Sequence, residues 1–110
     1  MDRLKRGDIV TVALQGDLGK PRPALVVQTD LAPAHPSVVV LPMTTTIASA
    51  QWLRVTVEAE AGTGLRHLSQ IMIDKPSTVQ RERLGARIGR VNDDILTRVS
   101  RALTVWLGLV

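Results

Sequence analysis

The sequence predicts a mainly β fold in which a small, curled sheet is closed by one C-terminal amphipathic helix. Three observations carry this prediction. Short runs rich in Val, Ile and Leu, punctuated by Gly and Pro, fill the chain up to Asn92. A period-two alternation spans Trp52 to Glu58, and beyond Asn92 the apolar period becomes helical. The 110 residues suit one domain, covering 1–110, with a single modest core. At 45% apolar residues the chain folds rather than staying disordered. Phe and Tyr are absent and Trp52 and Trp106 are the only aromatic residues, so the core must be built from Val, Leu, Ile and Ala.

The elements follow in order. Ile9 to Leu14 reads as a first strand and Gly16 to Pro23 as a loop. Ala24 to Gln28 is a short buried strand, and Thr29 to Ser37, with Pro33 and Pro36, is a connection with room for one helical turn. Val38 to Leu41 is a continuous apolar run, expected to be buried on both faces and ended by Pro42. In the next strand Leu53, Val55 and Val57 alternate with Trp52, Arg54, Thr56 and Glu58, which gives it one wet face. Leu68 to Lys75 places Ile71 and Ile73 on one face and Gln70, Met72 and Asp74 on the other, and Arg87 to Val91 makes a last short strand. In the helix Ile95, Leu96, Val99, Ala102, Leu103, Trp106 and Leu107 form an apolar stripe. Asn92 is its N-cap, and Asp93 and Asp94 suit the positive end of the helix dipole.

Composition also excludes chemistry. Without cysteine there are no disulfides, thiolate nucleophiles or Cys-based zinc sites. The two histidines, His35 and His67, stand far apart with no partners at ligand spacing, so no metal site and no cofactor are expected. Gly16-x-x-Gly19-Lys20 is only the first part of a phosphate-binding loop and leads into a strand where a helix is required. Arg6-Gly7-Asp8 reads as a strand entry. No apolar run reaches the length of a signal peptide or a membrane span, which points to the cytoplasm. The formal charge is +4 and eleven of the fourteen cations are arginine, a balance that suits a polyanionic partner. So few aromatic residues disfavour recognition of bases by rows of stacked rings.

Three short segments can carry chemistry. In Lys20-Pro21-Arg22-Pro23 two prolines flank one arginine, and the fixed φ of each proline leaves Arg22 little backbone freedom to hold a phosphate. Read alone, the segment serves solubility equally well. Thr44, Thr45 and Thr46 follow the third strand with hydroxyls able to donate to a phosphate oxygen, although threonine is also ordinary at strand ends. Asp74-Lys75-Pro76 closes the fifth strand with a carboxylate that serves either as a base or in an ion pair with a nearby arginine.

The order of these pieces resembles the MazF/PemK family, the ribonuclease toxins of type II toxin–antitoxin systems. The residues that carry the resemblance are Lys20-x-Arg22-Pro23-Ala24-Leu25-Val26-Val27, then Val38-Val39-Val40-Leu41-Pro42-Met43-Thr44-Thr45, then Asp74-Lys75-Pro76-Ser77-Thr78-Val79 and the final helix. The resemblance runs over nearly the whole chain. It implies an SH3-like, strongly curled β-barrel of the MazF/CcdB kind with a C-terminal helix, assembled as a homodimer. It further implies metal-independent, sequence-selective cleavage of single-stranded RNA, and a cognate antitoxin with an acidic, partly disordered tail. The family's loop arginine falls on Arg22, its strand-end threonine on Thr44 and its acidic residue on Asp74. Gly16, Asp17, Lys20, Thr45 and Lys75 are the accompanying candidates for RNA contact. The chain departs from some relatives at Met72 and Ser77, where they carry basic residues.

Cleavage without a metal can use the substrate's own 2′-hydroxyl as nucleophile, which requires stabilisation of the charged phosphorane and two proton transfers. On this scheme Arg22 stabilises the phosphate, Thr44 hydrogen-bonds it, and Asp74 positions the 2′-hydroxyl or accepts its proton. The rival reading is a gyrase-poisoning toxin of the same fold, the CcdB type, which acts through a tryptophan near its C-terminus. Trp106 fits that position, but its place on the apolar stripe predicts a core residue.

Overall fold

The computed structural model describes residues 3–14 and 20–110. Among them are seven strands and one α-helix: β1 (Asp8–Val12), β2 (Arg22–Val26), β3 (Ser37–Thr44), β4 (Arg54–Val57), β5 (Ser69–Met72), β6 (Ser77–Gln80), β7 (Arg87–Arg90) and α1 (Asp93–Trp106). Every strand pair is antiparallel. The sheet runs β4-β5-β3-β2-β1-β7, with β6 paired to β3 beside β5. The expected architecture, a curled sheet with a C-terminal helix, is the one observed.

The longest strand, β3, organises the sheet. One of its edges pairs with β2, while the other takes β6 along Ser37–Val40 and then β5 at Met43 and Thr44. Pro42 therefore lies inside the strand rather than ending it, contrary to the expectation from sequence. The Val27 amide donates to the Val39 carbonyl at 3.1 Å, so alternate residues of β3 bond toward β2. Pro42, three residues on, turns its missing N–H to the seam between β6 and β5, where no ladder bond is lost.

The curl separates two apolar clusters. The larger, on the helix side, includes Ile9, Leu25, Leu41, Val55, Ile71, Ile73 and Val99. The smaller is mostly valine: Val10, Val12, Val26, Val38, Val40 and Val79, with Ala24. Both faces of β1 and β2 are thus covered, as their continuous apolar runs require. Close approach fastens β7 to the turn before β5: the Arg90 amide donates to the Gly62 carbonyl at 2.9 Å, and a Cβ at Gly89 would lie 2.3 Å from the Thr63 carbonyl carbon.

The helix begins as the sequence predicts. The Asn92 side chain accepts from the Ile95 amide at 2.9 Å, and Asp93 and Asp94 fill the first turn. Val99, Ala102 and Leu103 are its buried residues. Arg6 ties it to the sheet, donating to the Val27 carbonyl and, at 2.6 Å, to Ser100 Oγ. Trp106 is not a core residue. It is 45% exposed, because the buried stripe stops at Leu103 and the last residues of the chain face solvent.

Three smaller expectations are corrected. Arg22 opens β2 rather than lying in the loop. The fifth strand ends at Met72, leaving Asp74 and Lys75 in the turn to β6. Residues 29–36 form turns without a helical segment.

Candidate active site

The register of the sheet builds the site. Ala24 of β2 faces Pro42 of β3, and Leu25 faces Leu41. Continued two residues toward the open end, this register sets Arg22 opposite Thr44. Val12 is the partner of Arg22 on β1, while Gln70 is the partner of Thr44 on β5 and Thr56 that of Gln70 on β4. A single row of residues thus crosses the sheet at the end of the smaller, valine-lined cluster. Side chains in such a row share one face.

A cleft of about 640 Å³ opens there. Arg22 and Lys75 supply its positive charge, and Thr44, Thr45, Thr46, Ser69, Ser77 and Thr78 its hydroxyls. Leu14, Pro23, Pro42, Met43 and Met72 give it apolar walls. No carboxylate is among these lining residues. Within the described residues the exposed Arg22 guanidinium has no hydrogen bond or ion pair of its own, which leaves its planar fork for an anion.

Thr44 is oriented by its own loop. Its Oγ1 accepts from the Thr46 amide at 3.1 Å. With that lone pair engaged, the hydroxyl proton is directed elsewhere, as a donor to a ligand oxygen.

The structure brings Arg22, Thr44, Thr45 and Lys75 together around the cleft, as the sequence reading anticipates. Asp74 does not join them. It is not a lining residue, and its ion pair is with Lys75, Oδ2 to Nζ at 3.7 Å, rather than with an arginine. Among the described residues Asp74 Oδ1 is buried without a hydrogen-bond partner. Lys20 is exposed and is not among the lining residues, and Gly16 and Asp17 lie outside the described residues. Thr46, the last of the three strand-end threonines, lines the cleft too, and Ser69 and Thr78 do so without having been singled out from the sequence. The signal for Thr78 lay in β6, whose Ser-Thr-Val-Gln has one apolar residue and does not read as a strand. Met72 and Ser77, the departures from the family pattern, both face the cleft.

Arg6-Gly7-Asp8 is a strand entry. Asp8 is 2% exposed, accepts from the Lys5 amide at 2.8 Å, and pairs with Arg90 at 3.0 Å and Arg87 at 3.4 Å. Among the described residues no three His, Cys, Asp or Glu side chains are grouped so as to hold a metal ion, and no helix is long and apolar enough to cross a membrane.

Comparison with known proteins shows the family and the fold. Residues 5–107 match the family model described as PemK-like, MazF-like toxin of type II toxin–antitoxin system. The chain is 45% identical over 107 residues to the probable endoribonuclease MazF of Mycolicibacterium smegmatis, covering 96% of this chain and 98% of that one. It is 30% identical over 113 residues to the endoribonuclease EndoA of Bacillus subtilis, with 97% of each chain covered. Among solved structures, a mycobacterial endoribonuclease in complex with its cognate antitoxin superposes with a TM-score of 0.83 over 97% of both chains at 22% identity, a likeness of fold. The chain therefore belongs to the PemK-like, MazF-like toxins of type II toxin–antitoxin systems.

Proposed function

We propose that this toxin is an endoribonuclease that cleaves single-stranded RNA in the Arg22–Thr44 cleft by attack of the substrate's 2′-hydroxyl on the adjacent phosphate. The observation that carries the proposal is the meeting of a guanidinium unengaged among the described residues and an oriented hydroxyl in a hydroxyl-rich cleft that no carboxylate of those residues lines. A phosphodiester supplies the matching acceptors. In the reaction the 2′-oxygen bonds to phosphorus as the P–O5′ bond breaks. The 2′-proton is lost and the leaving 5′-oxygen is protonated, so the products are a 2′,3′-cyclic phosphate and a 5′-hydroxyl. Arg22 stabilises the charge gathering on the phosphorane, and Thr44 donates to one of its non-bridging oxygens. Lys75 holds the backbone of the RNA at the other side of the cleft, and Asp74 steadies that ammonium. Thr45 contacts the same strand, and Gly16, Asp17 and Lys20 of the β1–β2 loop extend the RNA path.

The names of the relatives support this reading over the gyrase-poisoning one: both curated relatives are called endoribonucleases. The protein acts in the cytoplasm as one domain of residues 1–110, paired with a second copy, and is silenced by an antitoxin with an acidic tail. Purified protein on a defined, unstructured RNA tests the reading. Discrete internal cuts that Arg22→Ala abolishes support it, whereas trapping of DNA gyrase with intact RNA refutes it.

A further inference from the structure

We infer that Gln70 is a positioning residue of this site, fixing the loop at residues 44–48, whose Thr44, Thr45 and Thr46 line the cleft, and thereby the direction of the Thr44 hydroxyl. The inference rests on the ribonuclease reading above. The alternation in sequence puts Gln70 on the wet face of its strand, yet it is 5% exposed. Burying an amide so fully is costly unless both its ends are hydrogen-bonded, and here both are. Gln70 Oε1 accepts from the Ala48 amide at 3.0 Å and from Arg54 Nη1 at 3.4 Å, while Nε2 donates to the Ala48 carbonyl at 3.1 Å and to Thr56 Oγ1 at 3.3 Å. One side chain therefore clamps both backbone polar groups of a single loop residue, Ala48.

That loop leaves β3 at Thr44, the register partner of Gln70. Arg54 Nη1 also donates to the Thr46 carbonyl at 3.5 Å, so the clamp reaches the peptide next to the one whose N–H bonds Thr44 Oγ1. Gln70 itself does not line the cleft. It acts on the reaction only through the wall it holds. A loop free to drift loses the Thr46–Thr44 bond, and the threonine hydroxyl then rotates among several partners.

The test is a double-mutant cycle on a defined RNA, read with the hydrogen exchange of the loop. Gln70→Leu keeps the bulk and removes the clamp. It is expected to lower kcat about tenfold with KM nearly unchanged, and to lower it less than about twofold further when Thr44 is already alanine. The Thr46 and Ala48 amides should lose protection while those of β1 and β2 keep theirs. Equal losses in both backgrounds, or full activity with a protected loop, overturn the inference. If Gln70→Leu does not fold, Arg54→Met at the outer end of the clamp carries the same cycle: a loss of about threefold is expected, again vanishing with Thr44→Ala. An additive loss there also overturns the inference. If the wild type cleaves no RNA the ribonuclease reading fails, whereas exchange at Thr46 and Ala48 still reports on the clamp.

Discussion

Arg22 and Thr44 line one cleft, each two residues beyond the end of the ladder in which Ala24 faces Pro42. The two residues are distant in the chain, and the β2–β3 register alone brings the guanidinium and the hydroxyl to one side of one cleft. A shift of that register by one residue would turn one of them to the other face of the sheet. The well-packed stretch of the ladder, Ala24 to Val26 against Val40 to Pro42, is thus what aligns the chemistry beyond its end.

Removal of either group should be costly. A preorganised donor to a charged transition state contributes on the order of 10²–10³ in rate. Arg22→Ala and Thr44→Ala are each expected to slow single-turnover RNA cleavage by at least about that factor, with unchanged circular dichroism and thermal midpoint. Arg22→Lys should recover little of it, because an ammonium cannot reproduce the bidentate fork.

Asp74 separates two roles. A carboxylate accepting the 2′-proton would make Asp74→Asn as damaging as Arg22→Ala. Its ion pair with Lys75 predicts a milder effect, a loss of less than about tenfold that appears mainly in RNA affinity. Rates at saturating and subsaturating RNA distinguish the two.

Binding should depend on salt through few charges. With Arg22 and Lys75 each neutralising one phosphate, the part of the logarithmic salt slope due to these two cleft cations is expected to be about −1.4, at roughly 0.7 per contact on a single strand. Lys75→Ala should flatten it by about half, measured by fluorescence anisotropy with an RNA blocked at the 2′-position.

Much of this was legible in the sequence, for stated physical reasons. The β-branched runs and the helical stripe with Asn92 at its cap marked the sheet and α1, and the ordered motifs around Arg22, Thr44 and Lys75 marked most of the cleft. What escaped depended on tertiary partners. Pro42 reads as a terminator unless its N–H side meets a seam between two strands, and β6 is held by its pairing with β3 rather than by its own apolar content. Gln70 reads as wet until the 45–50 loop folds over it. Trp106 reads as core until the helix stripe is seen to stop at Leu103.

Stability rests partly on a buried carboxylate. Asp8→Ala removes the acceptor of the Lys5 amide and one ion-pair partner each from Arg87 and Arg90. A loss of about 1–3 kcal/mol is expected in urea unfolding, with cleavage retained while the protein stays folded. A similar loss of activity at low denaturant would place Asp8 in the site instead.

If Arg22 and Thr44 drive attack by the 2′-hydroxyl, the ends of the RNA fragments record it. Mapping both ends of the fragments from one defined RNA, with wild type and Arg22→Ala and with and without excess EDTA, tests it most directly. The expected ends are 2′,3′-cyclic phosphate and 5′-hydroxyl, undiminished by EDTA and nearly absent with Arg22→Ala. Ends bearing a 5′-phosphate, or cuts that survive Arg22→Ala in a folded protein, would contradict this mechanism.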